Sequence, residues 1–156
     1  MWKKVRPALG FSAIALAAGG LSGVISAKSM ESYAGLLQPP LAPPGWVFPV
    51  MWTILYILMG ISAGIVWRKG VGQARRQALR SWAAQLFFNF WWTLIFFNLQ
   101  WRLFAFFWLL ALLVLVVSMI SRFSRISETA ANLNVPYLVW LCFAAYLNMG
   151  VYILNG

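Results

Sequence analysis

Indole, phenol and amide side chains carry most of the chemistry that this sequence offers. The chain has ten tryptophans, twelve phenylalanines and five tyrosines, but no histidine. Without histidine it lacks the usual general base at neutral pH, the commonest zinc ligand and the usual axial ligand to haem iron. We therefore expect no metal site and no required cofactor. Any site should consist of aromatic surfaces with a few hydrogen-bond donors.

The acidic residues, Glu31 and Glu128, are too far apart in sequence to form a pair for acid–base catalysis. Both fall near the ends of expected helices, so neither provides the carboxylate within the membrane that a proton relay uses. The single cysteine, Cys142, lies in an apolar run and is expected to be a small buried side chain.

Polar side chains recur every four residues in the third long apolar run. Four-residue steps keep such side chains on nearly one face of a helix. Interhelical hydrogen bonds, which contribute about 0.6 kcal/mol on average in membranes, and contact with a ligand explain this stripe equally well. Its members are Ser81, Gln85, Asn89 and Thr93.

Two further helical faces combine aromatic residues with small or polar ones. Trp52 and Tyr56 are four residues apart, and Ala144 lies between larger residues on the second face, where it leaves space for a ligand or a helix. These faces predict an aromatic cavity suited to a large, flat, mostly apolar ligand. The second face comprises Tyr137, Trp140, Ala144 and Asn148.

A proline-rich segment, PPLAPPGWVFPVMW at 39–52, precedes the second apolar run. Proline fixes its own backbone and pushes the residue before it away from the helical conformation. The segment is therefore predicted to be stiff and non-helical, and to act as a lid over a cavity at the end of a membrane helix.

The elements that position these residues are membrane helices. The composition is 63% hydrophobic and 9% charged, whereas soluble domains are about 25% charged. A bilayer crossing needs about 20 apolar residues, and the first run is too long for the roughly 7–15 residues of a signal-peptide core. We predict an all-α membrane protein with one domain, 1–156, and a lid loop at 27–45. Its five transmembrane helices are expected at 7–26, 46–67, 80–99, 102–121 and 131–153.

The basic residues indicate an orientation in the membrane. Five crossings place all twelve lysines and arginines except Lys28 and Arg102 on the side of the N-terminus. The positive-inside rule then predicts a cytoplasmic N-terminus and an outward-facing lid. We expect the membrane to be a bacterial cytoplasmic membrane. The net charge of +10 is explained by topology and lipid headgroups, so nucleic acid is not expected as a partner.

Four ordered segments together resemble the TspO/translocator-protein family, whose members are also called tryptophan-rich sensory proteins or peripheral benzodiazepine receptor homologues. The resemblance implies a five-helix bundle, commonly a homodimer. It also implies a pocket beneath the first loop for porphyrins such as protoporphyrin IX and for isoquinoline- or benzodiazepine-type ligands. The segments are Tyr33 with PPLAPPGWVFPVMW (39–52), TILYILMG (53–60), AAQLFFNFWWTLIFF (83–97) and PYLVWLCFAAYLN (136–148).

The same resemblance implies roles for individual residues. Trp52 and Asn89 would make polar contacts to a ligand carbonyl or carboxylate. Trp52 and Trp140 would take part in light- and oxygen-dependent porphyrin breakdown. A receptor or sensor, a porphyrin-degrading enzyme and a facilitator of tetrapyrrole transport all remain open. The ligand-binding residues carried over by motif are Tyr33, Pro43, Pro44, Trp52, Asn89, Trp140 and Ala144.

The sequence departs from the family pattern in two places. Leu41 occupies a position where the family usually has tryptophan, which should weaken one aromatic wall of the pocket. Eukaryotic members carry a C-terminal cholesterol motif that ends in lysine or arginine, but here no basic residue follows Tyr146 or Tyr152. Cholesterol recognition through that segment is therefore not expected.

Overall fold

Residues 2–155 are described by a computed structural model, and all the regular structure in that range is helical. The all-α class predicted from the sequence is therefore confirmed. The elements are α1 (Trp2–Ala34), α2 (Val47–Lys69), α3 (Gly72–Thr93), a π-helix (Leu94–Asn98), α4 (Arg102–Ser124), α5 (Glu128–Asn132) and α6 (Val135–Asn155).

Four segments of the described chain are long and apolar enough to cross a membrane: α1, α2, α4 and the stretch Glu128–Asn155 that contains α5 and α6. α3 differs from them because its first turns are polar and its apolar half runs into the π-helix. Large apolar side chains such as Val24, Val114 and Ile153 are exposed on the outer surface. An integral membrane protein can carry such a surface because lipid tails cover it.

α1 extends further than its apolar run. Residues 27–34 were predicted to belong to the lid loop, but they continue the helix to Ala34 because they contain neither proline nor glycine. Just beyond them, the N–H of Gly35 bonds to the carbonyl of Ser32 at 3.2 Å. The prediction of a loop at 27–45 was therefore wrong at its start, and the loop occupies 35–46.

The third and last helices also differ from their apolar runs. α3 starts at Gly72 rather than at 80. Residues 73–80 are all Gln, Ala, Arg or Leu, which are good helix formers whether or not they are apolar. At the other end of the chain, α5 precedes α6, and the Ser127 hydroxyl accepts the N–H of Ala130 at 3.3 Å as a cap. Pro136 lies in the first turn of α6, where its missing N–H is tolerated.

α1 and α2 pack closely along a line of small residues. A Cβ added at Gly64 would lie 2.7 Å from the Cα of Ala8, and one at Gly60 would clash with the backbone of Ser12. Small residues allow such close approach of backbones in membrane helices. The Gly-x-x-x-Gly pattern of Gly60 and Gly64 therefore packs helices within the chain.

α3 and α4 are joined by a tight turn and pack against each other. Gln100 takes a positive φ of 57° there, and the N–H of Trp101 bonds to the carbonyl of Ile95 at 3.2 Å.

Cys142 is exposed on α6, so the prediction that it is buried was wrong. An apolar run does not reveal which of its faces meets lipid and which meets the core.

Candidate functional site

A cavity of about 580 Å³ lies beneath the loop 35–46, between this loop and the interior of the bundle. Its walls come from α1, α2, the end of α3, the π-helix and α6. They are mostly apolar and aromatic. Both the volume and the lining are typical of sites for small organic molecules.

Two tryptophans form one corner of this cavity. The rings of Trp52 and Trp140 meet edge to face at 6.4 Å, and Phe48 meets Trp140 at 6.0 Å. On the other side, Trp52 stacks on Tyr56 at 5.5 Å with 28° between the planes. Hydrogen bonds among residues 2–155 leave both indole N–H groups of this corner unused. The corner therefore offers flat apolar surfaces together with two donors.

The π-helix supplies the opposite part of the wall. Its consecutive residues Phe96 and Phe97 both line the cavity, and both meet the ring of Tyr33 edge-on, at 5.5 and 5.2 Å. Trp92 stacks on Phe96 at 5.4 Å. π-helical turns are rare and frequently lie at functional sites. The wider turn here allows two neighbouring aromatic residues to face one cavity.

A reciprocal pair ties the start of the loop to α1. The hydroxyl of Tyr33 donates to Oε1 of Gln38 at 3.0 Å, and Nε2 of Gln38 donates to the carbonyl of Tyr33 at 3.2 Å. Both residues line the cavity. The sequence did not single out Gln38, because an isolated glutamine before prolines has no recognisable pattern.

The loop is also held from the side of α6. The side-chain amide of Asn155 accepts the N–H of Leu37 at 3.1 Å and donates to the carbonyl of the same residue at 2.9 Å. The hydroxyl of Tyr146 donates to the carbonyl of Pro40. These contacts hold 37–40 against the last helix, so the loop covers the cavity as an anchored lid.

Leu41 lies at the corner of a turn in this lid. The N–H of Ala42 bonds to the carbonyl of Pro39 at 3.2 Å, and Leu41 takes a positive φ of 72°. Its side chain is 84% exposed and is not part of the cavity lining. In this structure position 41 therefore contributes no side chain to the cavity wall.

A chain of buried hydrogen bonds runs beneath the cavity. The hydroxyl of Tyr56 donates to Oδ1 of Asn89 at 2.9 Å, and Nδ2 of Asn89 donates to the hydroxyl of Tyr137 at 2.8 Å. That hydroxyl donates in turn to Oε1 of Gln85 at 2.6 Å. Asn89 is 1% exposed, and of these four residues Tyr56 alone lines the cavity.

The structure brings most of the predicted site residues together. Pro44 and Asn89 are outside the lining. The four-residue stripe on α3 is buried on one face as expected, but Thr93 is its one member in the cavity wall. Of the ligand-binding residues that the resemblance implies, those that line the cavity are Tyr33, Pro43, Trp52, Trp140 and Ala144, and Tyr56 and Asn148 from the two aromatic faces line it as well.

A buried cation lies behind the wall, on the side of the lid. Arg102 is 9% exposed, and its guanidinium carbon is 5.4 Å from the centre of the Phe96 ring. Its Nε has no hydrogen-bond partner within the described chain. The backbone carbonyl of Arg102 accepts a hydrogen bond from Nδ2 of Asn148 at 2.8 Å. Oδ1 of Asn148 accepts a hydrogen bond from the indole N–H of Trp92 at 3.1 Å. Asn148 therefore connects Trp92 to the backbone of Arg102 at the start of α4.

The described residues that line the cavity are aromatic, apolar or neutral hydrogen-bonding side chains. Among residues 2–155, no group of three or more His, Cys, Asp or Glu side chains could hold a metal ion. The polar residues of the lining carry phenols, amides, indole N–H groups and the hydroxyls of Ser22, Thr53 and Thr93. Such neutral groups orient a ligand by hydrogen bonding.

Comparison with known proteins gives a consistent result over most of the chain. Residues 11–154 match the TspO/MBR family model. "Tryptophan-rich protein TspO" of Archaeoglobus fulgidus is 37% identical over 142 residues, which are 90% of this chain and 92% of that protein. "Tryptophan-rich sensory protein" of Cereibacter sphaeroides is 37% identical, covering 82% and 79%. "Translocator protein" of Ovis aries is 34% identical, covering 91% and 86%.

Proposed function

The chain belongs to the TspO/MBR family, and on that basis we propose that it is a membrane receptor or sensor for porphyrins. Its ligands would be tetrapyrroles such as protoporphyrin IX and, in the same cavity, isoquinoline- or benzodiazepine-type molecules. The observation that carries the proposal is the corner of Trp52 and Trp140, with two unused indole N–H groups in a cavity of about 580 Å³.

The wall suits a flat conjugated ligand for a physical reason. Aromatic rings favour offset-stacked and edge-to-face contacts, which contribute about 0.5–1.5 kcal/mol each beyond the burial of area. Trp52, Trp140 and Phe96 present such surfaces from three different elements. The buried guanidinium of Arg102, next to Phe96, favours a ligand that carries carboxylates.

We assign the contacts to the ligand by their place in the cavity. Pro44 and Asn89 would act through the residues beside them, since neither reaches the lining. Direct contact is proposed for Tyr33, Pro43, Trp52, Trp140 and Ala144.

Titration of the purified protein with protoporphyrin IX, followed by tryptophan fluorescence, tests this site. The double substitution Trp52→Leu, Trp140→Leu should weaken binding about tenfold or more, since two aromatic contacts are lost. The control is Trp91→Leu, Trp101→Leu, which removes the same number of tryptophans from outside the lining. Full affinity in the first variant, or equal loss in both, would contradict the assignment.

Light-dependent breakdown of porphyrin is a second candidate. It is favoured by the contact of Trp52 with both Tyr56 and Trp140, because these rings could exchange an electron with a photoexcited ligand in the presence of oxygen. Product formation under illumination should then exceed that of an equal concentration of free tryptophan. A rate unchanged by Trp52→Leu, Trp140→Leu would exclude catalysis at this corner.

Facilitated movement of tetrapyrroles across the membrane is a third candidate, and the lidded cavity supports it. Proteoliposomes loaded with porphyrin should release it faster than protein-free vesicles. Equal rates would exclude transport. This measurement is independent of binding, so a receptor without transport activity would be recognised.

The proposal includes a placement in the membrane. The apolar half of α3 and the π-helix, residues 81–98, would form the remaining crossing, at about 27 Å for 18 residues. The N-terminus would be cytoplasmic, in a bacterial cytoplasmic membrane, and the protein would be a homodimer. Reporter fusions after α2 and α4 test the orientation and should be active on the cytoplasmic side. Light scattering of the detergent complex tests the homodimer, and its protein mass should be twice the chain mass.

A further inference from the structure

A second groove, of about 410 Å³, lies at the opposite end of α2 from the aromatic cavity. The cavity is bordered by the first turns of α2, whereas the groove is bordered by Trp67 near its last turn. The remaining lining comes from the first half of α3. Its members are Gly72, Arg75, Arg76, Leu79, Arg80 and Ala83.

Three arginines make this groove strongly positive. Arg76 and Arg80 are one helical turn apart, a spacing at which like charges repel. Neither of the two glutamates in the chain belongs to the lining. The start of α3 at Gly72 adds the partial positive charge of a helix N-terminus. An anionic partner from outside the described chain would relieve this repulsion.

One of the arginines is already ordered by the protein. The guanidinium of Arg75 lies 4.7 Å over the ring of Trp67 and donates to its carbonyl at 3.2 Å. The guanidinium groups of Arg76 and Arg80 are exposed and make no hydrogen bond with residues 2–155. Arg75 therefore shapes the groove, while its two neighbours remain available to a ligand.

Along α3 the groove begins with Arg75 and Arg76 and ends with Ala83, while Leu79 and Arg80 lie side by side between them. Leu79 and Ala83 follow Arg75 at four-residue steps, so they continue the same helical face. From Gly72 to Ala83 the helix rises about 16 Å. A free phosphate ion would use the charged end alone, whereas an amphipathic molecule would occupy the whole length.

We propose that this groove is a binding site for an anionic phospholipid. The phosphate would lie between Arg76 and Arg80, and the first part of an acyl chain would follow Leu79 and Ala83 into the membrane. Basic pockets between membrane helices bind such headgroups. The proposal rests on the groove alone and does not depend on the ligand of the aromatic cavity.

Native mass spectrometry of the full chain in zwitterionic detergent tests the charged end. Phosphatidylglycerol should bind more tightly than phosphatidylcholine. Arg76→Gln, Arg80→Gln should weaken binding of phosphatidylglycerol by about 25-fold, since each of the two arginines near the surface contributes about fivefold. The control is Arg68→Gln, Arg125→Gln, which removes two exposed charges outside the groove. Equal loss in both variants would mean general electrostatic attraction and would overturn the proposal.

The apolar end requires a separate variant. Ala83 is exposed, so Ala83→Phe should fold normally, with unchanged circular dichroism, while it fills the acyl path. We expect this variant to lose phosphatidylglycerol binding and the wild-type complex to resist millimolar inorganic phosphate. Unchanged lipid binding by Ala83→Phe, or full displacement by inorganic phosphate, would show a simple anion site instead and would contradict a lipid site.

Discussion

Asn89 separates two explanations of the polar stripe on α3, and its replacement by leucine tests them. The family resemblance assigns Asn89 to ligand contact. In the structure its amide is 1% exposed, and both ends are used, toward Tyr56 and Tyr137. We therefore predict that Asn89→Leu lowers the stability of the protein and leaves porphyrin affinity within about twofold, well below the tenfold step of about 1.4 kcal/mol.

The expected loss of stability follows from the two hydrogen bonds. Leucine has the same number and branching of side-chain heavy atoms as asparagine, so the substitution leaves no large cavity. Hydrogen bonds between membrane helices contribute about 0.6 kcal/mol on average and at most about 1.7 kcal/mol. Losing two of them should lower the free energy of unfolding by about 1–3 kcal/mol. We expect the upper end of this range because the buried hydroxyl of Tyr56 loses its acceptor.

Tyr137→Phe is a matched variant for this test. It also removes two hydrogen bonds, from Asn89 and to Gln85, and Tyr137 is outside the cavity lining. Both variants should therefore lose a similar free energy of unfolding, measured by helicity during titration with dodecyl sulfate. Dissociation constants for protoporphyrin IX are then measured under conditions where each variant is fully folded.

One pattern would refute this reasoning. If Asn89→Leu lost tenfold or more in affinity while Tyr137→Phe kept the wild-type value at similar stability, the amide of Asn89 would contact the ligand directly. The lid-covered state described here would then differ from the ligand-bound state, and the contact assigned by resemblance would be right.

Three other substitutions give further tests. Gly60→Ala should destabilise by about 2 kcal/mol or more in the same unfolding assay, because its Cβ would clash with the backbone of α1, whereas Gly20→Ala, with nothing within 4 Å, should have little effect. Leu41→Asn should stabilise by about 1 kcal/mol, since asparagine tolerates the positive φ of 72° better, and it should leave porphyrin affinity unchanged because the side chain is outside the cavity. Arg102→Met keeps the apolar stem but removes the charge. It should weaken binding of protoporphyrin IX by about fivefold and leave the affinity for its dimethyl ester unchanged. Equal effects on both ligands would show that the charge does not interact with the ligand carboxylates.

Several features follow from the sequence because they depend on residue type and local spacing. Apolar content and run length determine the all-α membrane class. An apolar run of about 20 residues can cross a bilayer as a helix because the helix satisfies its own backbone hydrogen bonds. The spacing of Gly60 and Gly64 predicts close packing of helices. Four-residue steps identify a buried face on α3 and place Trp52 and Tyr56 on one face of α2. These predictions need no knowledge of what lies opposite each residue.

Tertiary structure decided the features that depend on neighbours. Hydropathy marks where lipid ends and not where a helix ends, so the extension of α1 through Tyr33 was not foreseen. An amide at the right spacing can face a ligand or a tyrosine, and the contacts of Asn89 show its partners in this structure. The π-helix that turns Phe96 into the cavity and the turn that points Leu41 away from it depend on backbone geometry, which side-chain periodicity does not report.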